Sequence, residues 1–259
     1  MSEGRVIGLV SGKGGVGKTS LSVNLGIALS EFGNEVTIID TDFSASNLGV
    51  HLGRYEHPVK VQDVLKGDSH PEKAIFRHPA GIKAAVSSNE ISEVEPDTTN
   101  IRRMMEEAKK RSDYVIVDSP PGLNSNVESI MQACDELLII TMPTQTASIN
   151  AAQIIERAKQ FQQPVLGTVV NKVEDDPSKE LIEREIEMMT ESHIMAKIPH
   201  DNIMKESLFE NTPLLHYEPF AEASLQIKEL AADLDGRQFE RPKLAPVKRI
   251  VNDLKRKID

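Results

Sequence analysis

A chain of 259 residues with 39% hydrophobic content can bury one large α/β domain or two small ones, and its single cysteine, Cys134, excludes an internal disulfide and a cysteine-bridged cluster. The net charge of −10 is uneven: residues 241–259 hold seven cations against two carboxylates, so the first 240 carry −15, which opposes broad nonspecific DNA binding, while the basic end calls for an anionic partner or surface. No run approaches the roughly 20 apolar residues that span a bilayer, and the chain enters an apolar strand with no leader, so a cytoplasmic protein is expected unless something tethers it.

Val6 to Val10 reads as a buried strand that breaks into a glycine-rich turn and then into Thr19 and Ser20, which open a helix. Gly12, Gly17, Lys18 and Thr19 satisfy G-x-x-x-x-G-K-[ST]. Such a loop needs glycines because its N–H groups must converge on phosphate oxygens with no Cβ in the way, and the helix turns its positive end toward them. Gly14, Gly15, Val16 and Ser20 complete the cradle. Lys18 is placed to reach the β- and γ-phosphates of a bound nucleotide, and the Thr19 hydroxyl to ligate Mg²⁺. Lys13, a second lysine inside the loop, cannot easily fold back onto phosphates held by its own loop, so it is available to another molecule's nucleotide.

Leu21, Leu25, Ala28, Leu29 and Phe32 recur at helical spacing with Gly33 as the stop. Glu35 to Ile39 is a second buried strand, closed by Asp40-Thr41-Asp42, and carboxylates at the end of a parallel strand lie where α/β sheets bind ligands. His51, His57, His70 and His78 lack the spacing of metal ligands and read as surface histidines. Ile82–Val86 is a short strand, Ser87–Asn100 a polar loop and Ile101–Arg111 a charged helix. Tyr114–Asp118 is four apolar residues closed by aspartate, a Walker B pattern: Asp118 can hold Mg²⁺ through water, and Gly122 lets a backbone N–H approach the γ-phosphate. Cys134 lies in an apolar stretch as a buried thiol. Glu136–Thr141 and Val165–Val170 are strands around a helix containing Ile149, Ile154, Ile155 and Ala158, and the second ends in Asn171-Lys172, where an amide can offer adenine both a donor and an acceptor. Charged Asp176–Glu191 and apolar-striped Phe220–Leu234 read as helices, Met188, Met189, Met195 and Met204 as core gap-fillers, and Gly236 as the end of the folded domain.

Taken together, KGGVGKT with Lys13, Asp42 with Asn47 in SASNLG, the D-[ST]-P-[AP]-G at 118–122, the N-[KR] at Asn171 and the I-P-x-D at Ile198–Asp201 resemble the deviant Walker A ATPases, the MinD/ParA family, over residues 4–235. The resemblance implies an α/β P-loop NTPase whose mostly parallel twisted sheet has helices on both faces. It implies Mg²⁺-dependent ATP hydrolysis with Lys13, Lys18 and Asp42 as catalytic residues, Asp42 helping to position or activate the attacking water, and Thr19, Asp42 and Asp118 around the metal. It also implies that Lys13 crosses a homodimer interface to the partner's phosphates, that 118–122 is a second switch, and that Asn171, Pro199 and Asp201 border the base.

Residues 1–236 are thus expected to form the ATPase domain and 237–259 a linker and basic tail. In the tail Val247, Ile250, Val251, Leu254 and Ile258 fall within an arc of about 100° on a helix, with Lys248, Arg249, Lys255, Arg256 and Lys257 on the remainder. A helix this short is marginal alone in water, which favours folding on a surface. A basic amphipathic helix can lie among anionic headgroups, and bacterial members of the family carry a membrane-targeting helix at this end. Without Trp or Phe on the apolar face one copy binds weakly, whereas an ATP-closed dimer presents two. Docking on the protein's own body or on a partner, and disorder, are the other readings of the tail. The expectation is a MinD-like positioning ATPase, of a division site or other machinery, peripheral on the inner membrane face and acting with an activating protein or cargo. The alternative is a ParA-like DNA-partition or cargo-positioning ATPase, against which the acidic body weighs.

Overall fold

Runs of Val, Ile and Leu without polar alternation suit strands covered on both faces, and in the computed structural model they make one eight-stranded sheet. The structure describes residues 4–43, 46–54, 56–88, 98–174, 176, 178–245, 248, 249 and 252. In chain order the elements are β1 (Arg5–Val10), α1 (Lys18–Glu31), β2 (Val36–Asp40), the short helices α2 (Leu48–His51), α3 (Val61–Leu65) and α4 (Pro71–Ala74), then β3 (Phe76–Arg77), β4 (Lys83–Ala85), α5 (Thr98–Lys109), β5 (Tyr114–Asp118) and α6 (Ser125–Ala133). There follow β6 (Glu136–Thr141), α7 (Gln145–Gln160), β7 (Val165–Val173), α8 (Glu183–Thr190), β8 (Ile194–Pro199), α9 (Asn202–Phe209), α10 (Leu214–Tyr217) and α11 (Glu222–Leu234).

The strand order is β3-β4-β2-β5-β1-β6-β7-β8, parallel throughout except for β3 against β4. From central β1 the chain moves to β2 on one side and later to β6 on the other, so the carboxyl end of β1 is the topological switch point where sheets of this kind bind ligands. One face of the sheet is covered by α1, α10 and α11, the other by α3, α5, α6 and α7.

Helix α1 is buried on more than the expected stripe. Val23 and Ile27 are as inaccessible as Leu25 and Leu29, because α1 lies between the sheet and α11. At Gly26 an added Cβ would stand 2.7 Å from Ile38 Cδ1, which measures how closely helix and strand approach. Buried Asn24 is satisfied at both ends: its Nδ2 donates to the Ser20 carbonyl at 2.7 Å and its Oδ1 accepts from Leu215 N at 3.0 Å.

Three expectations change. The charged stretch from Asp176 is helical only from Glu183, since Asp176 draws the Ser178 N–H and hydroxyl into a local turn and Glu185 starts the helix by accepting from Ile182 N. Met188 is 72% exposed rather than filling the core, although Met195 and Met204 do pack against it. Of the four histidines only His70 is exposed; His57 stacks on Phe76, His78 reaches the Leu52 carbonyl, and His51 is half-buried at the site described below. Cys134 is buried, and burial pushes its thiol pKa up. No helix among the described residues is long and apolar enough to cross a membrane.

Past Gly236 the chain doubles back along α11. Arg241 pairs with Glu222 and Glu229, Phe239 meets Phe32 with ring centroids 6.3 Å apart, and Ala245 is buried. The amphipathic helix expected over 247–259 lies outside the described residues except for Lys248, Arg249 and Asn252. These three meet Phe220, Asp201 and Glu218 respectively.

Candidate active site

The loop from Ser11 to Gly17 joins the end of β1 to α1, and two of its glycines have the left-handed backbone that a side chain resists, Gly15 at φ 77° and Gly17 at φ 89°. Gly12 has a different reason: a Cβ there would lie 2.6 Å from the Asn150 carbonyl oxygen and Cβ of α7. The loop is gripped from both sides. Gly122 N donates to Ser11 O at 2.9 Å, Asn171 Nδ2 to Val16 O at 2.7 Å and Lys172 Nζ to Gly15 O at 2.7 Å. With these carbonyls held, the loop and the start of α1 form an anion-binding concavity.

That concavity opens into a cavity of about 310 Å³, lined by residues that include Lys13, Lys18, Thr19, Ser20, Asp42, Asn47, His51 and Pro121. Residues Gly14, Gly15, Val16 and Gly17 line it as well. Of the lining residues Lys13 is exposed and Asp42 is half-buried.

Lys18 is buried and turned toward the strand ends, 3.3 Å from Asp118 Oδ1 and hydrogen-bonded to the Ser119 carbonyl. Ser22, one helical turn along α1, donates to the same carboxylate oxygen at 3.0 Å. The Thr41 hydroxyl and N–H both donate to the Asp118 carbonyl, so the ends of β2 and β5 are clasped together. Asp40 and Asp118 are paired in register across these strands and both buried. Burial, with the Asp118 charge next, raises the Asp40 pKa well above the usual carboxylate range, against hydrogen bonds from Ser46 Oγ at 2.6 Å and Asp42 N at 2.9 Å. Two buried carboxylates beside one lysine make an environment short of positive charge. Oxygen donors from Thr19, Asp42 and Asp118 at such a place fit Mg²⁺.

The geometry gathers Gly14 to Ser20, Lys13 and Asp42 around one cavity, with Asp118 just beneath Lys18. The Gly122 N–H is engaged by Ser11 O rather than turned to the cavity. The three base-side residues are outside the cavity wall: Asn171 braces Val16 O, Pro199 ends β8, and Asp201 caps α9 through Ile203 N at 3.1 Å while pairing with Arg249 at 3.2 Å. Sequence reasoning placed Asp40 with the carboxylates at the end of β2 but missed His51 and Ser22. Ser22 follows Lys18 by four residues, and His51 follows Asn47 by four, the one-turn spacing that could have linked each to the site.

The sequence profile of the AAA domain matches residues 4–172. An uncharacterized ATP-binding protein of Methanocaldococcus jannaschii is 30% identical over 90% of this chain and 89% of its own length. The septum site-determining protein MinD of Synechocystis is 26% identical over 91% of each chain. Among solved structures, the septum site-determining protein MinD of Pyrococcus horikoshii complexed with Mg-ADP superposes with a TM-score of 0.82 at 26% identity, covering 94% of this chain and 98% of that one.

Proposed function

Because the chain belongs to the MinD/ParA family of P-loop ATPases, we propose that it is a switch that dimerises on ATP and positions cellular machinery by reversible attachment to an anionic membrane surface. It is an ATPase that uses ATP and Mg²⁺. Lys18 leaves Asp118 for the β- and γ-phosphates, while the loop N–H groups bind their oxygens. Thr19 and Asp118, with Asp42, would hold Mg²⁺, which would supply charge neutralisation for phosphoryl transfer. Asp42 orients the attacking water, and Asn171, Pro199 and Asp201 border the base.

The observation that carries the dimer is the contrast between the two loop lysines. Lys18 is buried within its own subunit, whereas Lys13 lines the cavity and is exposed. A second subunit closing face to face brings that ammonium to the first subunit's phosphates, and the closed pair presents two basic tails to a membrane. A ParA-like role on DNA is disfavoured by the body charge of −15.

Sedimentation with Mg²⁺ and a non-hydrolysable ATP analogue tests the reading. The wild type should sediment as a dimer and Lys13→Ala as a monomer; equal dimerisation of the two removes the trans role of Lys13. ATP turnover by Lys13→Ala should fall at least about tenfold, the scale of a lost charge contact to phosphate.

A further inference from the structure

His51 is the last residue of α2 and lines the same cavity as Lys13, Asp42 and Thr19. Its Nδ1 lies 2.9 Å from the backbone carbonyl oxygen of Asn47, and its Nε2 lies 2.9 Å from Ser20 Oγ. A carbonyl oxygen only accepts, so Nδ1 carries the proton. In the neutral ring Nε2 is then an acceptor, and the Ser20 hydroxyl donates to it. Burial lowers the ring's pKa, against the opposing pulls of the Asn47 carbonyl and the Asp118 charge, a shift that favours the neutral ring.

The two partners belong to different parts of the machine. Ser20 is buried in the first turn of α1, directly after the Mg²⁺-ligand candidate Thr19. Asn47 closes the connection that begins at Asp42, and Asp40 ties both ends of that connection to the end of β2, accepting from Asp42 N at the near end and from Ser46 Oγ next to Asn47. His51 adds a second anchor at the far end, and this one fastens Asn47 to the phosphate-binding helix.

We propose that His51 is a positioning residue of the ATP site, its neutral Nδ1–H ring holding the Ser20 hydroxyl and the Asn47 backbone together so that Asp42 is held in register with the phosphate loop. The proposal rests on the ATPase reading for its catalytic consequence but not for its tautomer. Within the cradle, loss of the ring frees only the Ser20 hydroxyl and leaves the loop N–H groups, Lys18 and Thr19 in place, so nucleotide binding survives while the hydrolytic step suffers.

Steady-state turnover of Mg-ATP separates this from a structural role. His51→Leu should lower kcat about tenfold, the scale of one lost hydrogen bond, with KM for ATP within about twofold. His51→Asn keeps a donor for the Asn47 carbonyl but falls short of Ser20, and should be as impaired as His51→Leu. His51→Gln carries an acceptor to the ε position and should recover most of the loss. A ring that merely ends α2 gives the opposite order, with Asn rescuing and Gln failing. In a double-mutant cycle His51→Leu should add no further loss to Ser20→Ala. Wild-type kcat in His51→Leu, rescue by Asn alone, or additive losses would each overturn the proposal.

Histidine ¹⁵N spectra of the nucleotide-free protein give a readout that does not depend on turnover. They should show His51 in the Nδ1–H tautomer, with its Nε2 resonance moved by Ser20→Ala. An Nε2–H tautomer, or no response to Ser20→Ala, overturns the positioning role whether or not the protein hydrolyses ATP. Absence of turnover in the wild type with these spectra as expected would instead remove the ATPase reading alone.

Discussion

Asp40 and Asp118 stand opposite each other on adjacent strands, yet Lys18 approaches only Asp118, at 3.3 Å, while Asp40 is met by a hydroxyl and an N–H. The raised Asp40 pKa, about 7, is the physical record of that imbalance. The sign of its effect on stability follows: a carboxyl whose pKa is higher folded than unfolded binds its proton more tightly when folded, so its contribution is lost as pH rises from about 4 through about 7. Asp40→Asn keeps the shape and removes the titration. In scanning calorimetry of the nucleotide-free protein the variant should lie near the wild type at pH 5 and melt several degrees higher at pH 8, on the order of 3 kcal/mol, from about two pH units at about 1.4 kcal/mol each. A variant that melts lower at pH 8 contradicts this. Gly12 makes a steric prediction at the same scale. Its added Cβ meets Asn150 at 2.6 Å, whereas one at Gly14 meets nothing nearer than 3.8 Å. Gly12→Ala should therefore cost about 1–3 kcal/mol of stability in a denaturant titration, and Gly14→Ala within about 0.5 kcal/mol of zero.

At the scale of elements, the parts that were legible are those in which an apolar run ends in a chemically demanding residue. β1 before Gly12, β2 before Asp42, β5 ending in Asp118 and β7 carrying Asn171 all lie where their runs placed them, to within a residue or three. Such strands are buried on both faces, so their apolar runs depend little on what covers them. The short helices α2, α3, α4 and α10 were not legible, because four or five residues carry no periodicity and are held by tertiary contacts such as Leu48 and Leu215 in the core. Asn171 shows the same limit in the site. Its place at the end of β7 could be read, but its grip on Val16 O could not, since that bond joins residues 155 apart. His51 was misread for a related reason: a histidine becomes part of a site through what α2 packs beside, here the first turn of α1.

At the scale of the whole molecule, the acidic body and basic end set up opposing forces at an anionic surface. The first 240 residues carry −15 and are repelled, and the five cations from 248 to 257 must overcome this within a Debye length of about 10 Å at 0.1 M salt. Before reaching lipid, Lys248 must leave the Phe220 ring and Arg249 must leave Asp201. The Arg249–Asp201 pair is only partly buried, so its release costs about 0–1 kcal/mol, small enough for two tails on one dimer to offset where one tail does not. Residues 237–245 belong with the body, held by Arg241 and Ala245, and this places the informative truncation after Ala245. With vesicles rich in anionic lipid, the full chain should co-pellet only with the Mg²⁺-ATP analogue, and pelleting should fall steeply between 0.05 and 0.5 M salt, on the order of the Debye screening range. The chain ending at Ala245 should stay in the supernatant while still dimerising with the analogue. If it pellets as well as the full chain, the membrane contact lies on the acidic body and the tail has another purpose.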